Sequence, residues 1–479
     1  MQNRVDVASD LKKLVKGEVL DREWQRSMYA ADASLYEILP LCIVIPKTEQ
    51  DVVKTVKYAY ENRIPVTPRG GGTALAGQTV GSGIIIDFSK YLNTVLKVAP
   101  EEGYVVVEPG VNKSELDRHL SGFGKFFPPD PSSSDFCTIG GMIANNSGGP
   151  HTVKYGSVMG YIISLKVVLS NGEVIETRPV KMSGDEWRKI VGNDTLESKI
   201  YSEVGRLIRG NLQIIRERAP KVTKSCSGYR LDALLQQEGT LDLGRIFAAS
   251  EGTLGIVLQA KLRILDTPRF RGTVMLQFDS LEKMGRAVSK VLKTKPAATE
   301  LLDHYVIDLA SHIHPELKKE VPEHVKAVLL VEFDGMSRDE VEDGMKRLER
   351  DLVKKDELVL KAGFAYTPAE AEKFWSIRKK SLPYAMKLRK GGRRPIPFIE
   401  DVVVQPDRLA AFIQQLYDIY QKYGVEGVIY GHAGDGQLHT RPLLDLKDKT
   451  DIDTMTKIAD EVFSLVIEYR GSITGEHGD

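Results

Sequence analysis

Between Leu41 and Asp87 the apolar positions change period along the chain. There is an unbroken run at Cys42–Ile45, helical spacing over Glu49–Glu61, then short runs at Pro65–Thr67 and Ile84–Asp87 on either side of a glycine loop. Period and length together predict strand, helix, strand and strand, the alternation of an α/β unit. Thr48 is the expected N-cap of that helix, with Asp51 in its first turn. A second block predicts strands at Tyr104–Glu108 and Leu165–Leu169, and the Asn171-Gly172 pair turns the chain into a third at Glu173–Thr177. Beyond Pro268 the texture becomes a repeated unit of strand followed by amphipathic helix: Gly272–Phe278 then Leu281–Leu292, Ala327–Phe333 then Arg338–Asp351, and Phe398–Val404 then Pro406–Tyr423. Such units build an open sheet covered by helices on one face. A last helix is predicted over Asp451–Tyr469, leading into a glycine-rich end at Gly471–Asp479.

Composition narrows the function classes. A chain of 479 residues holds two or three domains at roughly 150 residues each, and the change of texture near Pro268 marks the main boundary. Sixty-six basic residues balance sixty-six acidic ones, which gives no long-range field for nucleic acid. Cys42, Cys137 and Cys226 form no CxxC pair, so the chain offers neither a disulfide scaffold nor a cysteine-ligated cluster, and a cytoplasmic setting is expected. The stretch Met1–Trp24 mixes charge throughout, unlike a signal peptide. No window reaches the roughly 18 apolar residues of a membrane span. The sequence stops inside Gly475-Glu476-His477-Gly478-Asp479, with the expectation that the natural chain continues.

Candidate chemistry lies in small-residue loops. Pro68-Arg69-Gly70-Gly71-Gly72-Thr73 follows a predicted strand, and consecutive glycines let backbone N–H groups turn into one anion-binding concavity, to which Arg69 and Thr73 could add charge and a hydroxyl. The spacing is neither the dinucleotide fingerprint nor a P-loop, and on these residues alone a flexible loop explains them equally well. Two further loops are similar in kind: Pro128–Ser134 with Thr138–Gly149, and Ser250–Ile256. Three of the nine histidines fall in glycine-rich stretches, His432 and His439 in GHAGDGQLH and His477 in GEHGD. An odd separation of seven puts His432 and His439 on opposite faces of one straight strand, so the Asp435-Gly436 turn must fold the chain if they are to meet. Met together with Glu476, they would make a site with open positions for Zn²⁺, Mn²⁺ or Fe²⁺, and His477 nearby could serve as a general base.

These motifs together resemble the FAD-linked oxidases of the vanillyl-alcohol oxidase type, in the branch of D-lactate and D-2-hydroxyglutarate dehydrogenases and the glycolate oxidase D-subunit. PRGGGT, PPDPSSSDFCTIGGMIANNSGG, the KYG of Lys154–Gly156 and SEGTLGI carry the resemblance. It implies an α+β fold: a two-part FAD-binding domain over residues 1–267, a cap domain over 268–450 with an antiparallel sheet covered by helices, and a segment 451–479 returning to the flavin.

The resemblance also implies that FAD is held by Pro68, Arg69, Gly70, Gly71, Gly72 and Thr73 at its diphosphate. Pro131, Ser132, Thr138, Gly140, Gly141, Ala144, Asn145 and Ser147 would lie along it, with Tyr155, Gly156, Glu251, Gly255 and Ile256 at its borders. Threonine at position 73, where covalent relatives often carry histidine, implies non-covalent flavin. The family's metal and substrate motifs map a divalent metal onto His432, His439 and Glu476, proton transfer onto His477, and the substrate carboxylate onto Arg378, which with Trp375 matches WxxR. Glu400-Asp401 matches an acidic pair that could serve the metal or only cap structure.

Gln437 replaces an asparagine of the first motif. Arg441 and Ile399 depart from the positions that mark 2-hydroxyglutarate enzymes, which leaves a dicarboxylate substrate open. The implied activity is oxidation of a small D-2-hydroxy acid. Electrons would leave for an iron–sulfur domain, a subunit or another acceptor, without a membrane span but with membrane association through a partner or a homo-oligomer left open. Two other readings remain: a redox-neutral flavoenzyme like alkyl-glycerone-phosphate synthase, and a non-catalytic electron-relay subunit.

Overall fold

The computed structural model describes residues 4–313, 321–322, 324–385 and 388–478, so Met1–Asn3 and Asp479 of the outermost expected segments lie outside it. Thr48 caps the helix Glu49–Glu61, its side chain accepting from the Asp51 N–H while Asp51 Oδ2 accepts from the Thr48 N–H. That helix supplies the crossover from Cys42–Ile45 to Val66–Arg69, and Ile84–Asp87 then pairs parallel between them in a four-stranded sheet with Glu18–Leu20 on the far edge. Leu11, Val52 and Val56 close its core over Val44, Ile84 and Ile86.

A second sheet follows, five strands and antiparallel throughout, in the order Val95–Ala99, Tyr104–Val107, Ile256–Arg263, Ile162–Val168, Val174–Thr177. Gly172 turns its last hairpin with a φ of 86°, as the Asn-Gly signal requires. Between those strands lies an insertion that periodicity did not single out. Its helices Asp185–Val191 and Leu196–Arg218 enclose a separate small core around Trp187, Tyr201 and Leu241.

After Thr267 the chain builds one eight-stranded antiparallel sheet. Its order is Lys361–Ala365, Phe270–Phe278, Ala327–Gly335, Ala298–Asp303, Gly427–His432, Gln437–Leu444 and Arg394–Pro395, with Val402–Val403 also paired to Gln437–Leu444. The expectation of helices on one face is corrected. Leu281–Lys293, Arg338–Leu348, Leu409–Lys422 and Lys449–Glu468 cover one face, while His304–Ile313 and Pro368–Ala385 pack Val306, Ile307 and Ile377 on the other, against Met275, Leu330 and Val428. Coverage on both faces removes polar alternation and leaves only an apolar run as signal, which Ala327–Gly335 keeps in Ala327–Val331 but Ala298–Asp303, Gly427–His432 and Gln437–Leu444 lose to buried Glu300, His432, His439 and Arg441. The third expected unit is corrected too. Phe398–Val404 shrinks to the two-residue strand Val402–Val403, because Glu400 and Asp401 are turned inward to buried partners. No helix among the described residues is long and apolar enough to cross a membrane.

Candidate active site

The small-residue loops of the first half come together because their glycines let two segments touch. A Cβ on Gly70 would lie 2.0 Å from Thr138 Oγ1, and one on Gly71 would lie 2.1 Å from the Phe136 carbonyl, while Gly72 takes a φ of 65°. The packed loops border two adjoining cavities. Pro68, Arg69, Gly140, Ala144, Glu251, Gly255 and Ile256 line the smaller. Gly71, Gly72, Thr73, Pro131, Ser132 and Ser147 line the larger, of about 730 Å³, and Gly70, Thr138, Gly141 and Asn145 belong to both.

The Arg69 guanidinium, on the wall of the smaller cavity, donates to the backbone carbonyls of Tyr29, Ala31 and Thr79 and so also braces the loop. One expectation is corrected here: Tyr155 and Gly156 line neither cavity. Gly156, with a φ of 74°, ends the short helix Thr152–Tyr155, and the Tyr155 hydroxyl donates at 2.7 Å to Asp334 Oδ2 on the strand Ala327–Gly335.

The opposite wall of the larger cavity is ionic. It carries Arg378, Glu400, Tyr430, His439, Arg441, Glu476 and His477. His432 and His439 meet through hairpin register. His439 pairs across from Tyr430, two residues before His432, so both histidines lie on the face that Tyr430 occupies. The turn between them is the 3₁₀ segment Ala433–Asp435 closed by left-handed Gly436, with the Val404 carbonyl 1.9 Å from where a Cβ would sit. The rings lie 5.2 Å apart.

The last loop is seated on Asp401. Its Oδ2 accepts from Thr474 Oγ1 and from the successive N–H groups of Gly475, Glu476 and His477, all at 2.7–2.8 Å. The His477 carbonyl accepts from Gln78 and Asn145, which fastens the loop to the wall built by the small-residue loops.

Within this frame Glu476 Oε1 lies 3.2 Å from His432 Nε2 and 3.6 Å from His439 Nε2. The far nitrogens are occupied: His432 Nδ1 lies 2.6 Å from Glu300 Oε1, and His439 Nδ1 donates to the Glu400 carbonyl at 2.9 Å. Each ring is therefore oriented by a partner on Nδ1, with Nε2 directed at the shared point. Donors spaced in this way suit an ion bonded at about 2 Å, and the three atoms lie within 4.8 Å of one another.

The buried carboxylates Glu300, Glu400, Asp401, Asp435 and Glu476 outnumber Lys224, Arg378 and Arg441 by two, an excess that protons on His432 and His477 balance as the site stands and that a divalent ion would balance in their place. Burial disfavours charge on every histidine here, and neighbours decide the outcome. Glu300 and Glu476 outweigh it at His432, held at about 9. Asp401 and Glu400 outweigh it at His477, held at about 10. At His439 burial and the neighbouring His432 lower it to about 4, which leaves a neutral ring.

Arg378 is buried rather than on a helix surface. Its Nε donates to Glu300 Oε2 at 2.9 Å, and its guanidinium lies over the Tyr430 ring at 5.4 Å. Trp375, one turn earlier, donates to Glu332 Oε2. Arg441 reaches the Tyr430 hydroxyl, donating there and to Glu400 Oε2, while its Nη1 is buried with no hydrogen-bond partner. His477 Nδ1 lies 2.6 Å from Glu400 Oε1, although neither atom makes an aligned hydrogen bond. Sequence reasoning missed Lys224, Glu300 and Tyr430. A carboxylate inside the apolar run Ala297–Leu302 was the available signal for Glu300, whereas Lys224 sits in Val222–Gly228 with nothing local to mark it.

Residues 40–178 match the FAD binding domain and residues 267–479 match the FAD linked oxidases, C-terminal domain. The glycolate oxidase subunit GlcD of Bacillus subtilis (strain 168) is 31% identical over 95% of this chain and 84% of its own length.

The chain belongs to the FAD-linked oxidase family.

This FAD-linked oxidase is also 33% identical, over 95% of its length, to the D-2-hydroxyglutarate dehydrogenase of Escherichia coli (strain K12), but that match covers 46% of the relative. The chain thus spans about half the length of such relatives. Among solved structures, p-cresol methylhydroxylase with substrate bound superimposes with a TM-score of 0.67 at 15% identity, over all of this chain and 90% of the other, a likeness of fold alone. The family's FAD fits the loop-lined cavities, where glycine and alanine leave the backbone open to a flat ligand.

Proposed function

We propose that this flavoprotein oxidises a small D-2-hydroxy acid to the 2-oxo acid. The observation that carries the reading is the convergence of His432, His439 and Glu476 on one point, with His439 and Glu476 on the wall of the cavity that the cofactor loops line. FAD, bound without a covalent link, would accept the hydride, and a divalent ion held by those three residues would acidify the 2-hydroxyl. His477, on the cavity wall beside Glu476, takes the hydroxyl proton at its ring nitrogen. That role needs a neutral ring, which an ion balancing the site's two excess carboxylates permits.

Arg378 anchors the substrate carboxylate with the part of its guanidinium not engaged by Glu300. Arg441, with Nη1 unpaired, adds a second anchor, which favours an acid carrying another carboxylate, in keeping with the name of the Escherichia coli relative. Electrons then pass to an iron–sulfur or other acceptor, in keeping with the Bacillus relative being named as a subunit.

The test is an anaerobic titration of protein loaded with FAD and with Zn²⁺ or Mn²⁺, using D-2-hydroxyglutarate, D-lactate and glycolate, followed by flavin absorbance. Bleaching by one of these acids is expected. Unchanged flavin with all of them, in protein shown to hold both cofactors, would favour a redox-neutral or electron-relay role.

A further inference from the structure

Lys224 is a lysine from the first half of the chain buried among residues of the second. Its side chain is 1% exposed, and its ammonium lies 2.6 Å from Glu476 Oε2 and 2.8 Å from Gln437 Oε1. The segment that carries it is laced to the terminal loop. Lys221 N donates to the Arg470 carbonyl, Ser225 Oγ pairs with Ser472 Oγ at 2.8 Å, and Cys226 N donates to the Thr474 carbonyl. The Gln437 amide completes the frame, accepting from Lys224 through its oxygen and donating through its nitrogen to Asp401, the carboxylate that seats the loop. Glu476 is thereby divided in function: Oε2 faces the ammonium and only Oε1 faces the histidine nitrogens.

We propose that Lys224 is a positioning residue that restrains Glu476 to a single free oxygen and so keeps the site open to an anionic substrate. The inference rests on the metal-assisted reading above. Two physical effects act in the same direction. A carboxylate released from the ammonium can turn both oxygens toward a bound cation and fill a position the substrate needs. Loss of the ammonium also adds a net negative charge where an anion must enter. Both effects hold the cation at least as firmly and weaken the anion, whereas simple disorder of the loop would weaken both.

The experiment uses the full chain with FAD, stripped of metal. Zn²⁺ affinity is measured by competition with a chromophoric chelator, and binding of oxalate to the Zn²⁺-loaded protein by its perturbation of flavin absorbance. Lys224→Met is expected to bind Zn²⁺ no more weakly than the wild type and to lose oxalate affinity by tenfold or more. Lys224→Gln, which keeps a donor for Glu476 Oε2, is expected to recover part of that loss, and it carries the same comparison if Lys224→Met does not retain FAD. Oxalate affinity within twofold of wild type in both variants overturns the proposal, as does a parallel loss of Zn²⁺ and oxalate. Wild-type protein that takes up no Zn²⁺ would instead overturn the metal-assisted reading beneath it.

Discussion

The two walls of the large cavity are built on opposite principles. The cofactor wall consists of backbone and small side chains, and Gly70 and Gly71 are there because Thr138 and Phe136 approach to within 2.0–2.1 Å of where a Cβ would stand. The chemical wall consists of buried ionisable side chains brought from far apart, with Glu300 and His432 separated by 132 positions and Lys224 and Glu476 by 252. A wall of the first kind fails through added volume, because any new side-chain atom meets backbone already in place. One of the second kind depends on charge, because an ion stripped of its partner in a buried site is costly. The cofactor and the chemistry should therefore fail separately under mutation.

The largest expected separation is at His477. His477→Ala should slow flavin reduction by roughly 10²- to 10⁴-fold while the FAD content of the purified protein is unchanged; loss of FAD alongside activity would show that the walls are not independent. Glu300→Gln comes next. It removes the carboxylate that holds His432 Nδ1 and Arg378 Nε, and Zn²⁺ affinity should fall by about 10- to 100-fold as read by chelator competition. The converse test is Gly70→Ala, whose added Cβ must displace Thr138. Overpacking of this kind costs about 1–3 kcal/mol, and the expected readout is weaker FAD retention on gel filtration with Zn²⁺ affinity unaltered.

The smallest effect concerns the seam between the halves. His151 lies 2.6 Å from Asp130 Oδ2 and 3.0 Å from Glu332 Oε1, and stacks on Trp375. Burial opposes its charge, but Asp130 and Glu332 hold its pKa well above 6.5. A raised histidine contributes stability that is fully present below its unfolded value of about 6.5 and lost as pH climbs through the folded one. The thermal midpoint of wild type should accordingly exceed that of His151→Gln most in mildly acidic buffer, and the gap should close toward alkaline pH. A constant gap would mean that the contact acts by packing alone.

Local pattern was sufficient for elements with one wet face. The Thr48 cap, the Asn171-Gly172 hairpin and the helices after Ser280 and Ser337 are where their residues say they should be. It failed for Ala298–Asp303, Gly427–His432 and Gln437–Leu444, where buried polar side chains break the apolar run that identified Ala327–Gly335. The glycine loops were legible because close backbone approach demands glycine at consecutive positions. The cluster of His432, His439, Glu476 and His477 was legible as a set of residue types.

Their partners were not legible. Whether His432 and His439 share a face is settled by the hairpin register that pairs His439 with Tyr430. Which Glu476 oxygen faces the histidines follows from a lysine 252 positions away that takes the other. Such facts depend on which segments are packed against one another in a low-dielectric interior, where a partner's charge counts for more than its place in the chain. Residue type and short-range spacing thus set the elements and the chemistry available, while long-range packing decided which ionisable groups are paired, which are left free and toward what they point.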